Sequence, residues 1–134
     1  MSEPAINSSA SASLTVASSD LASVLSPDDA FPPVFATSRM VAVMEIAAAR
    51  VLSPHLRAGE LSVGVSLDIK HTAATPPGAT VTATATLVGR EGKLFLFEVS
   101  AADNAGEIGR GTHKRAIVNT ERLVASAAQR GAKA

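Results

Sequence analysis

Residues 37–71, TSRMVAVMEIAAARVLSPHLRAGELSVGVSLDIKH, change period part-way along, and that change sets the fold class. From Thr37 onward the apolar residues recur every three to four positions, the spacing of one helix face. Pro54 stops the helix near Ser53, because its ring clashes with the preceding turn and its nitrogen carries no proton. After Arg57-Ala58-Gly59-Glu60 the period falls to two. Val63, Val65, Leu67 and Ile69 then alternate with polar residues or Gly, as in a strand with one buried face.

Outward from this stretch the strands continue. TPPGA (75–79) is a turn, and TVTATATLV (80–88) alternates with Val81, Ala83, Ala85 and Leu87 on one side and four Thr on the other. GREGK (89–93) reads as a hairpin connection that returns LFLFEVSAAD (94–103) antiparallel. NAGE (104–107) is the next turn and IGRGTHKRAIVN (108–119) the last strand, before a polar helical tail from Glu121. Upstream, residues 1–13 are small and polar without period, a flexible lead-in. LTVASSDLASVL (14–25) supplies a first strand or an irregular cover, and SPDDAFPPVFA (26–36), with three prolines, a stiff extended loop. The expectation is an α+β domain over residues 14–125, with one long helix packed on a four-stranded antiparallel meander, and a polar tail over 126–134.

Composition narrows the function. The chain has 134 residues, one domain's worth, with zero formal net charge, 3% aromatics and no Trp or Tyr. Zero net charge gives no electrostatic reason for a nucleic-acid or anionic-membrane partner, and base-stacking aromatics are missing. The absence of Cys rules out disulfides, thiolate catalysis and Cys-ligated metal. No apolar run nears the roughly 18 residues of a membrane span, and no basic-then-apolar leader opens the chain. A cytoplasmic location is the default expectation.

At about 100° per residue, Arg39 and Arg50 lie roughly 20° apart and mark the wet face of the helix. Glu45 lies about 120° from one and 140° from the other. Its neighbours at three and four positions are Val41, Ala42, Ala48 and Ala49, none able to pair with it. Glu45 is therefore either a solvated residue at the edge of the stripe or an acid shielded from water in a site, where ionisable groups concentrate. His71 shares the parity of Val63, Val65, Leu67 and Ile69, and if that face covers the helix it can approach Glu45. It is either a satisfied core histidine or the base of an acid–base pair. Thr37 reads as a helix N-cap or a site hydroxyl, and Gly64 as a bulge or a place where a ligand meets the backbone, its amide then able to face a developing oxyanion. His55 suits a helix C-terminus or the surface, and His113 is expected to be structural. No H-E-x-x-H, Walker, G-x-S-x-G or G-x-G-x-x-G motif occurs. GRG (109–111) is too short to imply phosphate binding, and three scattered His do not suggest a metal site.

FPPVFATSRMVAVMEIAAARVLSPHL, SVGVSLDIKHTAATPPGATVTATATL and DNAGEIGRGTHKRAIVN together resemble the fluoroacetyl-CoA thioesterase type of hotdog-fold thioesterase, over about residues 31–125. KHTAATPPG and GTHKR are the most specific pieces. The resemblance implies an antiparallel sheet wrapped around one long central helix, a homodimer with sites near its interface, and hydrolysis of short-chain acyl-CoA thioesters, fluoroacetyl-like ones included. It carries the family's catalytic Thr, Glu and His onto Thr37, Glu45 and His71. The carbonyl-contacting Gly falls on Gly64 and the site-orienting Arg on Arg115, a residue that otherwise reads as a strand-edge charge. Phe31 matches one of two Phe residues near the family's acyl pocket, whereas SPDDA puts acids where the second is expected. No cofactor or metal is implied, because coenzyme A arrives within the substrate. Two rival functions remain: a hotdog hydratase or dehydratase, whose G-D-x-N-P-x-H-like segment is missing here, and a non-catalytic acyl-CoA-binding domain, which would not need Thr37, Glu45 and His71 intact.

Overall fold

The computed structural model describes residues 3–133. Its elements are β1 (Ser9–Thr15), α1 (Thr37–Leu52), β2 (Glu60–His71), β3 (Thr80–Glu91), β4 (Leu94–Asp103), β5 (Gly106–Asn119) and α2 (Thr120–Gly131). Helix α1 begins and ends where the period and Pro54 place it, and a 3-10 turn, Ser53–His55, follows it directly. The strands form one antiparallel sheet in the order β1-β3-β4-β5-β2. This is the α+β hotdog arrangement that the resemblance implies. Among the described residues no helix is long and apolar enough to cross a membrane.

Two expectations need correction. Residues 9–13, read as part of a flexible lead-in, lie in β1, which pairs with β3 along its length and buries Ala12. The four strands after the helix are also not a simple meander. Only β3, β4 and β5 follow one another through tight turns, closed by Gly92 and Gly106 at φ values of 59° and 127° that favour glycine; β2 pairs with β5. Segment 72–79, with Pro76 and Pro77, forms no hairpin. It runs across the end of the sheet instead, with the Thr72 amide donating to Ile108 O, Thr75 Oγ1 to Asp103 Oδ2 at 2.8 Å, and the Gly78 amide to Val16 O.

The inner face follows the alternation. Val81, Ala83, Ala85 and Leu87 of β3 are fully buried, and Phe95, Phe97, Val99 and Ala101 of β4 nearly so, against Met40, Met44, Ala47, Ala48 and Leu52 of α1. The Thr residues of β3 face outward, where Thr82 Oγ1 and Ser13 Oγ meet at 2.8 Å.

A bulge in β2 decides which residues share the inner face. Gly64 and His71 are seven positions apart, so in an unbroken strand they would point to opposite faces. The register passes from Gly64 opposite Arg115 to Ser66 opposite Lys114, leaving Val65 as the extra residue. Beyond it Leu67, Ile69 and His71 oppose His113, Gly111 and Gly109. Gly64 and His71 thus come to one face, while Val63, opposite Ala116, turns to the other. The unbroken alternation read from Val63 to Ile69 is really two runs in different phase.

The GRG of β5 also has a packing reason. A Cβ on Gly109 would lie 2.7 Å from Met40 Sδ and 2.7 Å from Lys70 O, and one on Gly111 would collide with Asp68 O. Glycine at these two positions lets α1 and β2 approach β5 closely.

Candidate active site

The first turn of α1 carries Thr37. Ala36, not Thr37, is the N-cap, so the threonine hydroxyl is free for other work, and it meets His71 Nδ1 at 2.7 Å. Asp20 fixes the helix start. Its carbonyl accepts from the Ala36 amide at 2.9 Å, and its Oδ1 accepts from Arg39 Nε and Nη2 at 3.0 and 2.8 Å. The Ala17 amide on Oδ2, followed by Arg39, holds the Asp20 carboxyl below the ordinary Asp value. One helical turn after Thr37, Met40 packs over Gly109, the residue opposite His71. His71 Nε2 is buried and has no hydrogen-bond partner among the described residues. An open hollow of about 280 Å³ beside it is lined by Val34, His71, Thr72, Ala73 and Ala74.

Two turns further along, α1 presents Glu45. Its Oε2 accepts from Arg115 Nη1 at 3.1 Å, and its side chain is 38% exposed, less shielded than the sequence suggested. Arg115 is 6% exposed, which removes its reading as a solvated edge charge. Its Nε donates to Ser62 Oγ at 3.0 Å and its Nη2 to Ser62 O at 2.9 Å. A second Nη1 bond, at 3.2 Å, goes to His113 Nε2.

The partners of His113 define its protonation. Nδ1 lies 2.9 Å from Ser66 O, which can only accept, so Nδ1 carries the proton. Nε2 faces a guanidinium that can only donate, so it presents its lone pair. The ring is neutral, and burial pushes its pKa below the ordinary histidine value, with Arg115 acting in the same sense and the Ser66 bond against it. Gly64 closes the cluster: a Cβ there would lie 2.6 Å from Glu45 Oε2 and 3.3 Å from His113 Cε1.

Within one chain the candidate residues therefore gather in two groups, Thr37 with His71, and Glu45 with Gly64 and Arg115. The approach of His71 to Glu45 expected from strand parity is not made; each has a different partner. Glu45 lies eight positions after Thr37, about 12 Å along the axis. Phe31 joins neither group and is 46% exposed on the loop before α1. A hollow of about 360 Å³ on the outer sheet face, lined by Thr84, Thr86, Glu98 and Arg110 among others, opens away from both groups. Among the described residues no three His, Asp or Glu side chains are placed to hold a metal ion.

The family model for fluoroacetyl-CoA-specific thioesterase matches residues 16–121. This chain belongs to that family. A fluoroacetyl-CoA thioesterase of Streptantibioticus cattleyicolor is 49% identical over 100 residues, covering 75% of this chain and 72% of the relative. The solved fluoroacetyl-CoA thioesterase FlK superposes with a TM-score of 0.89 at 39% identity, over 96% of this chain and 98% of that one. A Thermus thermophilus hypothetical protein described as a thioesterase superfamily member gives 0.90 at 25% identity, over 99% and 97%. The fluoroacetyl-CoA-specific thioesterase family is one of thioester hydrolases, so the chain is a hydrolase by membership.

Sequence reasoning gave His113 only a structural part and passed over Ser62. The signal for His113 was present: it lies two residues from Arg115 on one strand, so the two share a face. Ser62 could be found only through the register, since the bulge changes which β2 residues face Arg115.

Proposed function

We propose that this protein is an acyl-CoA thioesterase for short acyl groups, working as a homodimer in which Glu45 of one copy acts with Thr37 and His71 of the other. The observation that carries the reading is the pairing of Arg115 with Glu45 against Gly64, on the same inner face as a hydroxyl–imidazole pair but about 12 Å from it along the helix. A thioester carbonyl cannot touch both groups of one chain. The edge strand β2 offers the remedy. Its own Val65 and Leu67 are 53% and 44% exposed, and an apolar strand at a sheet edge favours association with another strand. Antiparallel strands run head to tail, so pairing β2 with its copy sets the Gly64 end of one against the His71 end of the other.

In this arrangement Glu45 supplies the oxygen nucleophile, either its own carboxylate or a water it deprotonates. Attack on the thioester carbon moves the carbonyl electrons onto oxygen, where the Gly64 amide is the donor. Collapse expels the coenzyme A thiolate, which takes a proton relayed by Thr37 and His71. The sum is thioester plus water to carboxylic acid plus thiol. No cofactor takes part. The small apolar side chains of Val34, Ala73 and Ala74 beside His71 suit a short acyl chain, and we assign Phe31, exposed on the loop before α1, the role of covering it.

Release of thiol from acetyl-CoA and from fluoroacetyl-CoA tests the activity and its range. Glu45→Gln removes it while thermal stability stays near wild type. Equal rates in both proteins would favour a binding domain, and hydration of an enoyl-CoA without thiol release a hydratase. Mixing inactive Glu45→Gln with inactive His71→Ala chains, then letting subunits exchange, restores part of the rate if the site is shared and none if it lies within one chain.

A further inference from the structure

We propose that His113 is a positioning residue for Glu45, acting through Arg115; the inference rests on the reading of Glu45 as the reacting group. Arg115 Nη1 has two protons. One goes to Glu45 Oε2 at 3.1 Å and the other to His113 Nε2 at 3.2 Å. The Ser62 bonds hold the Nε and Nη2 side of the guanidinium. The remaining hydrogen bonds of the guanidinium are the two that Nη1 makes. Glu45 is itself a flexible, partly exposed side chain and cannot anchor the cation that is meant to anchor it. His113 can: it is 1% exposed, its ring lies 6.3 Å from that of Phe97, and its far nitrogen is tied to Ser66 O at the β2 bulge.

The imidazole therefore connects three parts of the site: the bulge that turns Gly64 inward, the cation, and through it the carboxylate. The charged groups facing the ring are Arg115 from β5 and Glu45 from α1; β4 presents Phe97 and β2 the Ser66 carbonyl. A second proton on the ring would set a donor against the Arg115 donor and break the link. Only the neutral tautomer with its proton on Nδ1 serves.

Two substitutions separate the nitrogens. In His113→Asn the carboxamide can replace Nδ1 toward Ser66 O but ends short of Arg115. In His113→Gln it reaches the Nε2 position and offers an oxygen to Nη1. His113→Asn is expected to lower kcat for acetyl-CoA roughly 10- to 100-fold, the effect of a misplaced catalytic group, with KM unchanged, and His113→Gln to recover most of the wild-type rate. Asn and Gln variants of equal rate overturn the inference, as does a loss confined to KM. If His113→Asn is fully active while Glu45→Gln is inactive, the role of His113 falls and the thioesterase reading stands; if Glu45→Gln is as active as wild type, that reading falls first. Nitrogen-15 NMR of the wild-type imidazole at neutral pH decides the point without any variant. A proton on Nδ1 and a bare Nε2 support the assignment, and a proton on Nε2 overturns it.

Discussion

The two halves of the inner sheet face use the same alternation for opposite ends. Under α1, β3 and β4 present Val81, Ala83, Ala85, Leu87, Phe95, Phe97, Val99 and Ala101, all at 5% exposure or less. On β5 and β2 the equivalent inward positions hold Arg115, His113, Gly111 and Gly109, and across from them Gly64, Leu67, Ile69 and His71. The first half is closed by dispersion and burial of apolar area. The second gives up side-chain volume at three glycines and spends its inward positions on groups that hydrogen-bond, which leaves Leu67 44% exposed. A sheet that must both fold and open to a ligand divides those tasks between its sides.

That division predicts separable failures. The largest expected effect is Glu45→Gln in the open half, lowering thiol release roughly 10²- to 10⁴-fold with little change in Tm, since the side chain is partly exposed. Next is Leu87→Ala in the closed half, expected to cost about 2–5 kcal/mol of stability. It should lower the urea midpoint strongly while kcat of the folded protein at low temperature stays near wild type. Were Leu87→Ala to abolish kcat without loss of stability, the distinction between the halves would vanish. Gly64→Ala sharpens it from the other side. The added methyl meets the carboxylate of Glu45, which can swing away at the expense of its Arg115 bond, so the fold should persist while kcat drops roughly 10-fold or more.

The smallest effect is in the dependence of stability on pH. His113 binds its proton less readily folded than its ordinary value of 6.5 allows, so below about that pH the unfolded chain takes up protons first and Tm declines. Asp20, lowered from 3.8, stabilises the fold above that pH, and its contribution is lost as pH falls through its folded value. Tm measured against pH should therefore fall in two steps, the upper removed by His113→Gln and the lower, to which Asp103 also contributes, reduced by Asp20→Asn. A single step unaffected by either variant would contradict the assignment of both groups.

Much of this was legible before any coordinates. The 3.6-to-2 change of period located α1 and the strands, and the Val81-to-Leu87 alternation gave the buried face of β3 residue by residue. Glu45 stood out because its helix offered it no cation. Other features were misread for identifiable reasons. Ser9–Ser13 offers no apolar residue larger than Ala, so the first part of β1 is held by pairing with β3 rather than by its own pattern. The β2–β5 pairing depends on segment 72–79 crossing the sheet's end, which two prolines permit but no local rule requires. Arg115 looked like an edge charge because β5 looked like an edge; β2, folding in from earlier in the chain, covers it.

The sequence by itself determined periods, helix limits and the inventory of reactive groups, because those follow from interactions between residues a few positions apart. Only the tertiary structure decided which groups meet. A single extra residue at Val65 reverses strand phase, and with it brings Ser62 and Gly64, beside Arg115, to the face that carries His71. A phase reversal of that kind is fixed by pairing with a distant strand, where the sum of long-range hydrogen bonds and packing outweighs the preference of any short segment.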